Sequence, residues 1–480
     1  MRSPVPTVPT KLVDVEVASA PRANVPRVVL AATGPELGPG AANVDLTEVT
    51  GKAGETMRQG DSWVLGIGKS ELKDWKIAGA ALVRGLTGQA APKTADVFLT
   101  DIDADRLQAF VLGAALGGYR FRVTGDDADP QVRSLRLVVA DEGLEDVLTE
   151  AALKAHALAT ATALARDLAN TPSNVKDPKW LAGTAAKIAE KVPGLTAVVR
   201  DEKWLAEEGF GGVLAVGGGS TRPPRFLELS WNASLKNAPH IVFVGKGITF
   251  DTGGISVKPA DGMHLMRTDM SGGGAVISAL VAVARRGLGV RVTGLVPCAE
   301  NHVSGSAYRP GDVVRHFGGA TTEVTNTDAE GRMVLADALA YAVRRLSPDL
   351  LVDVATLTGA MKVSLGLRTG GLFSNTDSVA DSVVEAGTRA GEQWWRMPLL
   401  EEHVEAVDSE IADYRQCPPG PGGITAALFL EKFAGGVPWA HLDIAGPARS
   451  EKNYDEVVPG ATGFGARTLV ELVESYASRA

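Results

Sequence analysis

The chain has 480 residues, 45% of them hydrophobic, which is enough for two or more domains with separate cores. Its 48 Lys and Arg against 57 Asp and Glu leave a net charge of -9, spread without long single-sign blocks, which argues against nucleic acid or an anionic membrane as partner. Two cysteines, Cys298 and Cys417, exclude a disulfide framework and a thiolate zinc site, and the absence of a secretory core in MRSPVPTVPTK or of any membrane-length apolar run makes a cytoplasmic protein the expectation.

After a Pro-rich start, Val-rich runs bounded by Gly and Pro predict strands at 13–18, 27–32 and 62–67. Helical patterns near 78–86 and from Asp105, then a strand at 135–140, make the first 142 residues a smaller N-terminal α/β domain. An Ala- and Leu-rich helix over 143–172 is read as a link, ended by TPSN. Over 173–480 strands and helices alternate again, which predicts a catalytic domain with a mostly parallel or mixed sheet flanked by helices. In such sheets ligands bind beyond the carboxyl ends of the strands.

The densest chemistry lies in VTNTDAEGRMVLADALAYAVRRL, from Val324 to Leu346. Asp328 and Glu330 stand two apart in what reads as an extended segment, which aims both carboxylates to one side. Gly331 is read as a tight turn, and Arg332 as the start of an amphipathic helix carrying Val334, Leu335, Ala338, Leu339 and Ala342. Facing carboxylates need a cation or a proton between them. IVFVGKGITFDTGGISVKP adds Lys246, Asp251 and Lys258 on a Gly-rich strand end that lacks the Walker spacing, and HLMRTDMSGGG adds Asp269, which alone would also read as a helix cap. Asp251, Asp269, Asp328 and Glu330, with no His among them, suit hard or borderline divalent ions, and more acids than one ion needs suggest two. Lys246 is then either displaced from the ions or a neutral amine ligand.

NTDAEGR at 326–332, VGKGITFDTGGISVKP and MRTDMSG together resemble the cytosolic leucyl aminopeptidase family of two-metal exopeptidases, and the likeness runs from about residue 160 through ATLTGA and WAHLDIAG. The resemblance implies one ion on Asp251, Asp328 and Glu330, and another on Lys246, Asp251, Asp269 and Glu330. The ions would be manganese or zinc, with magnesium or cobalt as alternatives. It implies a metal-bridging hydroxide as nucleophile, Lys258 stabilising the tetrahedral intermediate, and Arg332 holding a bicarbonate base with amides near Gly331 and Leu357. It implies a pocket for the first side chain lined by Met266, Asn326, Ala329, Thr356, Leu357 and Ala445, release of N-terminal Leu and other apolar residues from peptides, and a homohexamer. The chain departs from that pattern at Pro447 and Ala448, where a Met can follow DIAG, so the pocket could be wider; the Pro-rich loop 415–423 has no assigned role.

Other signals weigh less. The seven His residues form no His-Glu-x-x-His pair, no Gly-x-Ser-x-Gly elbow is present, and DIDAD at 101–105 reads as a helix cap because Arg106 stands where a calcium loop needs Gly. Asn232-Ala-Ser is a chance glycosylation match in a cytoplasmic protein. A DNA-binding role, known for some members of that family, lacks a basic stripe here, and a two-metal phosphatase would leave Lys246 without a task.

Overall fold

The computed structural model describes residues 8–34, 45, 47–99, 102–123, 131–232 and 238–478. The first seven residues of the Pro-rich start, Asp101 of DIDAD, and Ala233 and Ser234 of the glycosylation match lie outside them. Contacts divide the chain into two compact units, one running to Ala163 and including Ser450–Pro459, the other comprising Leu164–Arg449 and the segment from Gly460.

The first unit is a six-stranded sheet in the order Asp14–Ala18, Ser134–Val139, Thr94–Leu99, Arg27–Ala31, Ser62–Gly66, Thr56–Gln59, parallel except for its last pair. Helices Leu72–Gly85 and Ala104–Gly117 pack so closely that a Cβ on Gly79 would lie 2.1 Å from the Phe110 carbonyl oxygen. Asp103 caps the second helix by accepting from the Arg106 amide, as the DIDAD reading requires. This division differs from the expected one in two particulars. The helix Glu145–Asn170 is not a separate link, since the division falls within it. Residues 450–459 return to the first unit, where Arg84 donates to the carbonyls of Asp455 and Val457 and Lys76 pairs with Glu456 at 3.2 Å. Those contacts span more than 370 residues of sequence, so no local pattern signals them.

The second unit holds a mixed sheet flanked by helices. At its centre Trp439–Asp443, Leu350–Ala355, His240–Gly245 and Arg291–Asn301 lie side by side and parallel. Gly247–Asp251 continues alongside Arg291–Asn301, also parallel. Antiparallel neighbours, Thr369–Ser374 on one side and Arg225–Trp231 on the other, flank this block. Ile241, Val242, Phe243 and Val244 are fully buried, as a parallel strand covered on both faces requires. Helix Ser271–Arg285 lays Val276 and Leu280 against Gly294 on one face. On the other face helix Glu330–Tyr341 joins Val242, Leu295 and Leu351 in one core cluster.

Helix Glu330–Tyr341 corrects the reading of its sequence in three respects. It begins at Glu330 rather than Arg332; Asp328 lies in a turn, so the two acids converge through the turn and the first helical residue and not through strand alternation. It is not amphipathic, because all twelve residues are buried. Its Asp337 is satisfied internally, since it accepts from the Val213 and Phe317 amides and pairs with His316 at 2.8 Å. Gly331 is no turn residue but a helical one whose bare Cα makes room for a neighbour described below.

Candidate metal centre

Parallel strands delivered side by side put their carboxyl ends together, and the chemistry gathers there. Lys246 follows His240–Gly245, Asp251 ends Gly247–Asp251, Asn301 ends Arg291–Asn301, Thr356 follows Leu350–Ala355, and Asp443 ends Trp439–Asp443. Gly253 and Gly254, at φ of +86° and +64°, turn the chain back directly after Asp251, and a Cβ on Gly253 would come within 2.9 Å of Asp328 Oδ1. The two glycines are thus set by positive φ and by close approach, Gly253 to Ser256 and Asp328 and Gly254 to Asn301 and Thr327.

One ligand atom each from Asp251, Asp328 and Glu330 lies within 4.8 Å of the others. Lys246 Nζ stands 2.9 Å from Asp269 Oδ2 and 2.8 Å from Glu330 Oε1, and donates to the Thr356 carbonyl at 3.0 Å. Lys258 Nζ lies 2.8 Å from Asp251 Oδ2 and also pairs with Asp328 Oδ1. The structure therefore brings Lys246, Asp251, Lys258, Asp269, Asp328 and Glu330, six of the seven charged residues singled out in the sequence, to one place. Asp269 Oδ2, Asp328 Oδ1 and Glu330 Oε1 are buried, and among the described residues each is met by a lysine ammonium group rather than a neutral donor.

The electrostatics follow from this crowding. Burial, with Asp251 and Asp269 nearby, raises the Glu330 carboxyl against the pull of Lys246 and Lys258. Burial also raises Asp269 and Asp328. Burial alone would lower Lys246, but Asp269, Glu330 and Asp251 raise it well above the ordinary lysine range, and Asp251 and Glu330 do the same for Lys258. These carboxylates favour the charged form of Lys246. A neutral amine there would require competing cations, the condition under which the sequence reading lowered it.

Arg332 is 5% exposed, donates through Nη1 to the Gln416 carbonyl at 2.8 Å, and leaves Nε buried without a partner. The Leu357 amide, expected beside an anion with that of Gly331, donates to Asp443 Oδ1 at 3.2 Å. Met266, Asn326, Ala329, Thr356, Leu357 and Ala445 are all half-buried, while Pro447 and Ala448 are buried. Thr356 Oγ1 donates to Asp269 Oδ1 at 2.7 Å, so one expected pocket residue also orients an acid.

Several residues that the sequence did not single out serve the cluster. Asn301 Nδ2 donates to Asp251 Oδ1 at 2.8 Å and to the Thr327 carbonyl at 3.0 Å, and the Tyr308 hydroxyl donates to the same carbonyl at 2.9 Å. Asp443 accepts from the Leu357, Thr358 and Ala445 amides. Asn301 could have been found by its place at a strand end and Asp443 by its place in LDIAG; Gln416 carried no signal.

Oxygen donors with an amine among them, at the strand ends of an α/β sheet, are the construction of a hydrolase that works through divalent ions. The catalytic domain of the cytosol aminopeptidase family matches residues 163–470. A protein of Chlorobium limicola named "Probable cytosol aminopeptidase" is 42% identical over 84% of this chain and 81% of its own, and one of the same name from Corynebacterium efficiens is 43% identical over 86% and 82%. Among solved structures, one described as "Bottromycin maturation enzyme BotP in complex with Mn" superposes with a TM-score of 0.83 at 38% identity, over 97% of this chain and 99% of that one. The chain belongs to the cytosol aminopeptidase family, an aminopeptidase family of hydrolases.

Proposed function

We propose that the chain is a metal-dependent aminopeptidase that releases N-terminal residues, Leu and other apolar ones among them, from peptides. The observation that carries this reading is the convergence of Asp251, Asp328 and Glu330 within 4.8 Å beside Asp269 and Lys246. The donor set fits two divalent ions, manganese or zinc, because its acids outnumber what one ion needs and their buried oxygens already face lysine ammonium groups, cations whose place a metal ion could take. Asp251, Asp328 and Glu330 would hold one ion, and Lys246, Asp251, Asp269 and Glu330 the other. Once bound, such ions supply Lewis acidity and an activated water.

The chain's own residues do the rest. A free substrate amine, unlike an acylated one, could join this donor set as a neutral ligand, which would restrict cleavage to the first residue. Lys258 is held cationic by Asp251 and Asp328 at the rim of the cluster, where its ammonium can donate to the negative charge that develops on the scissile carbonyl oxygen. Arg332, with its buried and unpartnered Nε, supplies a place for bicarbonate, and that anion is the proton acceptor of this reading. Met266, Asn326, Ala329, Thr356, Leu357 and Ala445 would line the side-chain pocket. The enzyme would act as a cytoplasmic homohexamer; a chain that sediments as a monomer at micromolar concentration removes that part.

The test is hydrolysis of unblocked and N-acetylated aminoacyl amides after chelation, with manganese or zinc restored. Cleavage of the unblocked set alone, and only with metal, is the expected result. No cleavage of either set under any metal overturns the reading.

A further inference from the structure

The turn that carries Asp328 into the cluster is short, and its shape is fixed from outside. Asp328 N donates to Asn326 Oδ1 at 2.9 Å and Ala329 N to the Asn326 carbonyl at 3.0 Å, so the turn closes on Asn326. Its apex, Thr327, is gripped by Asn301 and Tyr308 at the carbonyl and by Ser256 at the amide. Its two limbs are gripped by a residue 90 positions away in sequence, Gln416, which is 0% exposed.

The carboxamide of Gln416 uses both of its ends. Oε1 accepts from the Thr325 and Asn326 amides at 3.1 Å each, and Nε2 donates to the Ala329 carbonyl at 3.0 Å. Its main chain is engaged as well, since the Gln416 amide donates to the Glu323 carbonyl at 3.0 Å and its own carbonyl accepts from Arg332. Strand Tyr414–Arg415, paired with Thr321–Glu323, brings this residue in. The Pro-rich loop thus begins as the far jaw of a clamp on the NTDAEGR turn. An amide is the group such a clamp needs, because it must accept on one limb and donate on the other.

We propose that Gln416 is a positioning residue of the metal centre: its carboxamide sets the spacing of the turn that delivers Asp328 to Asp251, and its carbonyl orients Arg332. This rests on the metal-dependent reading given above. The reach of the clamp is selective. It holds the limbs on either side of Asp328, whereas Asp269 is held by Thr356 and Lys246, which Gln416 does not touch. Metal ligands tolerate only a few tenths of an ångström of displacement, and loss of a residue that orients a ligand weakens binding by about 10- to 100-fold.

The experiment compares Gln416→Leu, which removes both functions, with Gln416→Glu, which keeps an acceptor for Thr325 and Asn326 but cannot donate to Ala329 when ionised. Manganese uptake is followed by competition with a chelating dye, beside kcat, KM and the urea midpoint of the metal-free chain. Gln416→Leu should weaken one of two manganese sites by about 10- to 100-fold and leave the other within about threefold, with Gln416→Glu between it and wild type. The proposal is overturned if Gln416→Leu binds both ions like wild type, or if both sites weaken alike in proportion to lost stability, which would make Gln416 merely structural. A wild-type chain that takes up no manganese overturns this inference and the metal-dependent reading together, whereas wild-type uptake with an indifferent Gln416→Leu overturns this one alone.

Discussion

Replacing Gly331 with Ala should separate stability from catalysis. A Cβ at Gly331 would lie 2.8 Å from Cδ, Cε and Nζ of Lys246. Carbon atoms in ordinary contact sit about 3.5 Å apart or more, so the lysine must recede by roughly 0.7 Å. It cannot recede freely, because its ammonium is tied to Asp269, Glu330 and the Thr356 carbonyl at 2.9, 2.8 and 3.0 Å. The stability cost is small. Overpacking costs about 1–3 kcal/mol, and Ala in place of Gly inside a helix returns about 1 kcal/mol, so the net loss is on the order of 0–2 kcal/mol. The activity cost is larger, since misplacing a group by about 1 Å can cost on the order of 100-fold. Gly331→Ala should therefore fold, lose a modest part of its urea midpoint, and hydrolyse leucine amide on the order of 100-fold more slowly at saturating manganese. A variant with wild-type kcat and manganese affinity would refute the argument that Gly331 exists to admit Lys246.

Glu330→Gln and Asp251→Asn should each reduce turnover by more than the about 100-fold typical of losing an outer partner, with circular dichroism unchanged; near-normal rates would remove their assigned roles. Arg332→Ala should slow the reaction less than Glu330→Gln, since water can partly replace the anion, and added bicarbonate should no longer stimulate it, as a bicarbonate titration of both enzymes would show. Burial and then Arg291 hold the His240 imidazole below its ordinary 6.5. The unfolded chain therefore takes up that proton first, so its contribution to stability is present above that value and lost as pH falls through it, by at most about 1.4 kcal/mol per pH unit. His240→Asn should flatten the fall in urea midpoint between about pH 7 and 5, and an unchanged slope would show that His240 does not contribute.

Much of the architecture was written locally. Buried strands such as Ile241–Val244 announce themselves as apolar runs closed by Gly, and the α/β alternation that follows puts their carboxyl ends together whatever the details. That is why Lys246, Asp251, Asp269, Asp328 and Glu330 could be named as one cluster before any coordinate. Residue type narrowed the reading as well, since several acids without His at strand ends suit hard or borderline cations.

What the chain could not declare by itself is what distant segments do to one another. Asp328 and Glu330 looked like alternate residues of a strand, yet they meet because Gln416 and Asn301 hold a turn ahead of a helix. Helix Glu330–Tyr341 carried a one-sided pattern but is covered all round, since sheet and neighbouring segments close over it and pair its Asp337 with His316. Gly331 read as a turn because glycine's commonest use is conformational, whereas here the reason is the volume of a lysine that is 85 positions earlier in the chain. Local periodicity and turn chemistry are properties of a few consecutive residues and are legible from them; burial, the room left for a side chain and the partner of a buried amide depend on which remote residues arrive, and only the folded chain decides that.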